Sequence, residues 1–305
     1  MKLGLLTAAF PMLTLEEIAV WASANGYQAL EIAAWPAGSA TERRYAGVSH
    51  LDAATLTQDQ ADAIVALLAE HNLTISALAY YPNNLHPDLA HRAEVNGHLR
   101  QVIQAAALLH VDVVGTFVGR DPRKNVADNL ALFGEVWPEL VRFAGKHGVK
   151  IAIENCPMIF SDDEWPGGLN LAYAPTIWRE MFSIIPDTNF GLNLDPSHLL
   201  WQHIDYLRVV EDFSARIFHV HAKDMEINRE GLYQHGVLSL GMGWQVPRLP
   251  GLGEIQWDRF ISALYAAGYN NVISVEHEDR AFEGTEEQIK RGFLIARNAL
   301  IPSIV

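Results

Sequence analysis

Four stretches of the sequence decide the fold: KIAIENCP at 150–157, GLNLDPSH at 191–198, RIFHVHAKD at 216–224 and NVISVEHED at 271–279. In each stretch the side chains alternate with a period of two, which is typical of a β-strand that turns one face inward. The inward face of every stretch ends in a polar residue; these are Glu154, Asp195, His221 and Glu276. Because active-site residues of a parallel β/α barrel collect at the carboxyl ends of its strands, we expect these four side chains to converge.

The rest of the chain repeats this alternation of strand and helix. Strands are predicted at 2–9, 29–35, 75–81, 112–118, 150–156, 190–196, 217–223 and 272–278, and helices at 14–26, 57–72, 88–110, 126–147, 174–185, 204–215, 255–268 and 285–300. Eight such units in 305 residues, without a Pro/Ser/Gly-rich linker, predict one (β/α)8 TIM barrel domain over 1–305. The alternative is an open doubly wound sheet. Such a sheet usually has a glycine-rich loop after its first strand, whereas residues 7–14 (TAAFPMLT) contain no glycine.

Three long segments follow predicted strands, at 36–56, 157–173 and 225–253. In a barrel all three lie on the carboxyl-end face, and loops of this length in a compact domain are usually functional. Trp35, Trp165 and Trp244 in or beside them suit flat contacts to a sugar-like ligand. We therefore expect these loops to wall a pocket above the four polar residues.

The composition limits the classes of partner. A formal net charge of -14 disfavours a nucleic-acid-binding protein, because binding to phosphate backbones depends on basic surface. The single cysteine, Cys156, fits a reducing compartment. No stretch approaches the roughly 20 consecutive apolar residues of a membrane span, and the first residues lack the long apolar core of a secretion signal. The sequence predicts a cytoplasmic protein with neither a nucleic acid nor a membrane as partner.

Converging carboxylates need a cation. Three carboxylates aimed at one axis repel one another, and burial in a barrel strengthens that repulsion unless a positive charge is bound. A set of three oxygen ligands and one nitrogen ligand favours a hard divalent ion. We therefore predict one divalent metal ion, with Mn²⁺ first, then Mg²⁺, Co²⁺ or Fe²⁺; Zn²⁺ also fits, although thiolate ligands are missing.

The four motifs, together with DPSH at 195–198 and PGLGEIQW at 250–257, resemble those of the xylose isomerase-like barrel family, which includes ketose 3-epimerases. The resemblance covers essentially the whole chain. It implies that Glu154, Asp195, His221 and Glu276 bind one metal ion and that His198 contacts the substrate. It also implies isomerisation or epimerisation of a sugar by proton abstraction next to a carbonyl, through a metal-stabilised enediolate.

The catalytic residues of that reaction are predicted to be Glu154 and Glu276, placed on opposite sides of the reacting carbon so that one removes the proton and the other returns it. Besides His198, substrate contacts are predicted for four residues. Lys223 is positioned for an oxyanion or a phosphate, Arg248 for a clamp, and Tyr80 and Asn83 for the pocket wall.

The sequence leaves several alternatives open. Ketose 3-epimerases place a glutamate six residues after the first metal-binding glutamate, whereas here that position is Phe160. The long loops favour a larger substrate, so a lyase or epimerase of 3-keto-glycosides is the first alternative to a sugar isomerase or epimerase. A phosphodiesterase of the endonuclease IV kind and a non-catalytic sugar-binding subunit are less favoured. Assembly into a homo-oligomer or with a partner subunit is also left open.

Overall fold

The computed structural model describes residues 1–36, 47–159, 168–237 and 243–304. Its strands are β1 (Lys2–Leu6), β2 (Ala29–Ala33), β3 (Thr74–Ala79), β4 (Val113–Thr116), β5 (Lys150–Glu154), β6 (Phe190–Leu194), β7 (Ile217–Ala222), β8 (Asp224–Ile227), β9 (Gln245–Arg248) and β10 (Val272–Val275). All except β8 and β9 are parallel and close into a barrel in the order β1, β10, β7, β6, β5, β4, β3, β2. The predicted (β/α)8 TIM barrel is confirmed.

The helices surround the barrel. They are α1 (Leu15–Ala24), α2 (Gln58–Glu70), α3 (Leu89–Leu108), α4 (Val126–Lys146), α5 (Pro175–Ile184), α6 (Pro196–Trp201), α7 (Tyr206–Phe213), α8 (Arg229–His235), α9 (Trp257–Ala266) and α10 (Glu286–Leu300). Thr14 and Thr57 form capping boxes with Glu17 and Gln60, so α1 and α2 begin where the sequence predicts. In these ranges no helix combines the length and the apolar composition that crossing a membrane requires.

Apolar packing between helices and strands forms the main core. Phe133, Trp137 and Phe190 pack ring against ring between α4 and β6, with centroids 5.7 to 6.1 Å apart. Inside the barrel the composition is different. Five polar side chains are buried at or below 2% exposure there: Glu31, Asn193, His219, His221 and Ser274. Buried polar groups are costly unless they have partners, so this interior is built for something other than stability alone.

Segments predicted as loops contain regular structure. Helix α6 follows β6 directly, with Asp195 as its N-cap and Pro196 in its first turn. Strands β8 and β9 pair as an antiparallel hairpin above β7, and α8 lies between them. The hairpin explains the length of the predicted loop at 225–253, since part of it forms a second wall beside the barrel mouth. Trp165 and Phe160 lie outside the described residues.

Candidate active site

Four side chains from consecutive barrel units meet at the carboxyl-end face. Glu154 is the last residue of β5, Asp195 follows β6, and Glu276 follows β10. His221 lies near the end of β7. One ligand atom from each of these residues lies within 4.8 Å of the others, an arrangement that could hold a metal ion. Glu154, Asp195 and His221 are at or below 2% exposure, and only Glu276 is partly open to the cavity.

The donor atoms of this cluster fit a cation. Glu154 Oε1, Asp195 Oδ2 and His221 Nδ1 are buried and have no hydrogen bond of good geometry within the described residues. His221 Nδ1 lies 3.3 Å from Glu276 Oε2 and 3.7 Å from Glu154 Oε1. Buried polar atoms are normally satisfied, so two carboxylate oxygens and an imidazole nitrogen that converge without a hydrogen bond form a ligand set that a cation would satisfy.

The other ring nitrogen of His221, Nε2, faces Glu31 inside the barrel. His221 Nε2 lies 3.0 Å from Glu31 Oε2, and the Tyr81 hydroxyl donates to Glu31 Oε1 at 2.8 Å. Because a carboxylate only accepts, Nε2 carries a proton. Burial lowers the pKa of His221, but Glu31 and Glu276 raise it well above the ordinary value, so Nδ1 is also protonated and would give up that proton to bind an ion. Burial raises the pKa of Glu31, but the charges of His221 and His219 and the hydrogen bonds lower it further, to about 2.

Sequence reasoning missed Glu31; it placed Tyr81 with Tyr80 and Asn83 at the end of the third strand, where any of them could line the pocket. Glu31 lies in ALEIA at 29–33, where every residue is buried, and a lone glutamate in an otherwise apolar strand was the available signal. Tyr81 needs the space that Gly115 provides on β4, because a Cβ at position 115 would lie 2.3 Å from Tyr81 Oη. Glycine at 115 is therefore part of the support for His221.

Lys223 lies among the carboxylates. Its Nζ is 2.7 Å from Glu276 Oε2, 3.1 Å from Asp195 Oδ2 and 4.0 Å from Glu154 Oε1. Burial lowers the pKa of Lys223, but these carboxylates and Glu278 raise it well above the ordinary value. The ammonium therefore supplies positive charge to the cluster itself, while its predicted contact with a substrate anion stays a prediction.

His198, on α6, joins the same cluster. Its Nε2 lies 3.3 Å from Asp195 Oδ2 and 3.5 Å from Glu154 Oε1. Burial lowers the pKa of His198, but Cys156 and Asp195 raise it well above the ordinary value. The imidazole also lines the cavity above the cluster, where a substrate contact is geometrically open to it.

A cavity of about 340 Å³ opens directly above the cluster. Glu154, Glu276, Lys223 and His198 line its polar floor. Its walls are largely apolar and include Trp35, Tyr81, Phe117, Met158 and Trp201. A few converging polar groups in a mostly apolar pocket are typical of a small-molecule site.

Three predicted substrate residues lie elsewhere. Tyr80 and Asn83 line a second cavity of about 350 Å³, which shares Trp35 and Met158 with the first. Arg248 on β9 is engaged in ion pairs with Glu226 at 3.1 Å and Asp279 at 3.3 Å. The arginine that lines the first cavity is Arg280. The substrate contacts predicted for Tyr80, Asn83 and Arg248 therefore do not belong to the four-residue cluster.

Comparison with known proteins agrees with this arrangement of strands. A model of the xylose isomerase-like TIM barrel family matches residues 19–298. The chain belongs to this family. A curated relative of this xylose isomerase-like barrel is the uncharacterized protein YfiH of Bacillus subtilis (strain 168), which is 34% identical over 153 residues. That match covers 47% of this chain and 45% of YfiH.

Solved structures share the fold of this family member over its full length. The IolI protein with a bound zinc atom has a TM-score of 0.71 at 19% identity, covering 99% of both chains. D-psicose 3-epimerase from Clostridium cellulolyticum H10 with D-tagatose has a TM-score of 0.71 at 16% identity, covering 100% of this chain and 99% of its own. The probable 3-DHS dehydratase AsbF from Bacillus anthracis has a TM-score of 0.69 at 15% identity, covering 99% of both. At these identities the likeness establishes the fold alone.

Proposed function

We propose that the protein is a divalent-metal-dependent sugar isomerase or epimerase that moves a proton on the carbon next to a carbonyl. The observation that carries the proposal is the pairing of Glu154 and Glu276 with His221 between them, at the floor of the cavity. Two carboxylates that reach one bound carbon from different strands are the minimum needed to remove a proton and return it elsewhere.

The proposed ligands of the metal ion are Glu154, Asp195, His221 and Glu276, through the atoms that have no hydrogen bond or that face His221 Nδ1. A divalent ion bound there would draw electrons from a sugar's carbonyl and adjacent hydroxyl oxygens and so acidify the C–H between them. Mn²⁺ suits the oxygen-rich ligand set best, and the zinc atom of the IolI protein supports a divalent ion without fixing which one.

The two proton transfers are assigned to side chains of the protein. Glu276 is the more open carboxylate and hydrogen-bonds with Lys223, so we assign it the first proton transfer. Glu154, whose Oε1 lies 3.5 Å from His198 Nε2, is assigned the second. Burial raises the pKa of Glu154, but His198, His221 and Lys223 lower it below the ordinary value, which keeps it ionised before turnover. The apolar walls limit water around the reacting carbon.

Proton exchange with solvent tests the proposal. The bound metal is first identified by elemental analysis, and the metal-loaded protein is then incubated in D2O with a panel of ketoses, keto-inositols and 3-keto-glycosides. We expect deuterium next to the carbonyl of at least one compound. Glu154→Gln and Glu276→Gln are each expected to slow this exchange by at least about 100-fold, the usual contribution of a general acid or base.

Glu139→Gln is the matched control, because Glu139 is exposed on α4, pairs with Arg100 on α3 and is not part of the cluster. It should exchange deuterium at the wild-type rate. The proposal is wrong if no compound in the panel exchanges, or if Glu276→Gln and Glu139→Gln behave alike.

A second function, epimerisation or elimination of a 3-keto-glycoside, is favoured by the second cavity beside the first. A free hexose fills one such space, whereas a glycoside carries a further group. Both functions begin with the same proton abstraction. Product analysis separates them, because elimination releases the aglycone and epimerisation returns an intact glycoside.

A further inference from the structure

We propose that the second cavity is a binding subsite for a planar aromatic group joined to the sugar. This inference rests on the proposed function, because it assigns the reacting sugar to the cavity above Glu154 and Glu276. The second cavity, of about 350 Å³, is lined by Trp35, Tyr80, Pro82, Pro87, Val95 and Pro122 among others. Rings and prolines present flat apolar faces, which match a planar ring better than a flexible chain.

The aromatic wall is fixed before any ligand binds. The Trp35 and Tyr80 rings meet edge to face at 5.0 Å, and Tyr80 meets the His98 ring at 4.7 Å. His98 Nε2 in turn lies 2.9 Å from the carbonyl oxygen of Ala34, directly after β2. Because these rings are already ordered by one another, binding a flat group against them costs little conformational entropy.

The cavity offers few groups that could satisfy sugar hydroxyls. Asn83 looks polar in sequence, but its side chain is already used: Nδ2 donates to the Arg120 carbonyl and Oδ1 accepts from two backbone N–H groups. His91 and Glu94 lie at the exposed rim, with side chains 51% and 79% accessible. Within the described ranges the Tyr80 hydroxyl makes no hydrogen bond and His86 uses only Nδ1, so the Tyr80 hydroxyl and His86 Nε2 are available to ligand oxygens. A second sugar would therefore lose hydrogen bonds here, whereas an aryl group would not.

Trp35 and Met158 join the two cavities. Both residues line both spaces, so a ligand that extends past them enters the second cavity from the first. Met158 is almost fully buried and has a φ of 55°, a backbone region that residues other than glycine rarely adopt. Such conformations persist only where surrounding structure enforces them, and they concentrate at ligand sites. The two cavities thus form one site with a polar and an aromatic half.

The subsite is tested with three glucosides that carry a carbonyl at C3 and differ only in the aglycone: methyl, cyclohexyl and phenyl. The measured quantity is kcat/KM for deuterium exchange at the carbon next to the carbonyl. We expect the phenyl compound to exceed the methyl compound by about tenfold or more, which corresponds to about 1.4 kcal/mol, with the cyclohexyl compound in between. Equal values for phenyl and cyclohexyl, or for phenyl and methyl, would overturn the proposal.

Val95→Phe fills the cavity from α3 and Leu169→Phe fills it from the segment before α5. Each is expected to lower kcat/KM for the phenyl compound about tenfold and to change the methyl compound less than about twofold. The two variants alter different walls of the cavity, so the test remains valid if one of them fails to fold. Val20→Phe, at a half-exposed position on α1, is the matched control and should leave both compounds unchanged. Equal losses for both compounds in the filled variants contradict an aromatic subsite.

Failure of the proposed function gives a different result. In that case no glucoside exchanges deuterium, and binding alone is measured by calorimetry with phenyl and methyl glucosides. A subsite that exists without the proposed reaction still binds the phenyl compound more tightly, and Val95→Phe removes the difference. Exchange without any phenyl preference leaves the proposed function intact and refutes the subsite.

Discussion

At the scale of single residues, Glu31 sets the direction of His221. Its carboxylate lies 3.0 and 3.1 Å from His221 Nε2 and accepts a hydrogen bond from Tyr81. Carboxylates in this position fix the tautomer and the ring orientation of histidines that bind metals. The other residues of β2 are apolar, so the partners of the buried Glu31 carboxylate come from elsewhere in the barrel: His221, His219 and Tyr81.

Glu31→Gln is therefore expected to weaken binding of the metal ion by roughly 10- to 100-fold, because an amide can present its N–H group to Nε2 and favour the wrong tautomer. The measurement is competition with a chromogenic chelator. Tyr81→Phe, which leaves the carboxylate in place, should weaken binding less. If Glu31→Gln binds the ion as tightly as the control Glu139→Gln, Glu31 does not orient His221.

The sequence predicted which side chains meet where an inward-facing position of an alternating strand was also at or near the end of that strand. Glu154, Asp195, His221 and Glu276 were expected to converge, and the structure brings them within 4.8 Å. The sequence did not separate Tyr81, which lines the first cavity, from Tyr80, which lines the second; the pairing of β2 with β3 shifts by one residue after Leu30. A one-residue offset exchanges the two faces of a strand, and the sequence gives no sign of where such an offset falls.

At the scale of elements, Asp224 ties the β8–β9 hairpin to the barrel. This buried carboxylate accepts four hydrogen bonds, from the backbone of Met225, Gly251 and Ile255 and from Trp257 Nε1, at 2.8 to 3.0 Å. Gly253 must stay small, since a Cβ there would lie 2.3 Å from Asp224 Oδ1. The hairpin carries Gln245 and Pro247, which line the first cavity, so Asp224 also holds that wall.

Asp224→Asn is expected to lower the free energy of unfolding by about 2 to 4 kcal/mol, because the amide N–H group would face two donors that now bind Oδ2. Urea unfolding followed by circular dichroism gives the value. Asp62→Asn is the matched control, since Asp62 is exposed and its side chain accepts from Gln58. Similar unfolding midpoints for both variants would show that Asp224 does not hold the hairpin.

Elements were predicted best where they are long and periodic. The eight barrel strands and the helices that follow them occupy the expected ranges to within a few residues. Helix α6 and the hairpin were missed, because six residues of helix and four of strand are too short to show a period. The first strand was predicted to extend to residue 9, but β1 ends at Leu6, and residues 7–9 form a helical turn that an apolar run alone does not reveal.

At the scale of the whole molecule, the charged side chains of the candidate site also contribute to the stability of the fold. Burial raises the pKa values of Glu31 and Glu154 and of the partly buried Glu276, but His221 lowers all three below the ordinary value, together with His219 at Glu31 and Lys223 at the other two. A carboxylate whose pKa is lower in the folded state stabilises the fold above its unfolded pKa. That stabilisation disappears as the pH falls through the folded value.

Acid should therefore unfold the metal-free protein over a defined range. For Glu31 the contribution is complete above pH 4.5 and is lost as the pH falls towards 2, a change of about 3 kcal/mol. Urea unfolding in EDTA at pH 6, 5, 4 and 3 measures it. The free energy of unfolding of Glu31→Gln should depend less steeply on pH than that of the wild type or of Glu139→Gln. Parallel curves for all three would contradict the lowered pKa of Glu31.

Lys223 has a consequence for how the site is loaded. Its ammonium lies within 3.1 Å of Glu276 and Asp195, so the carboxylates have a counter-charge before any metal ion arrives. Repulsion that would otherwise push the strand ends apart is already offset, and the ligand atoms keep their spacing. We therefore expect binding of an ion at the proposed metal site to be an exchange of cations within a preassembled set of ligands, without opening of the barrel.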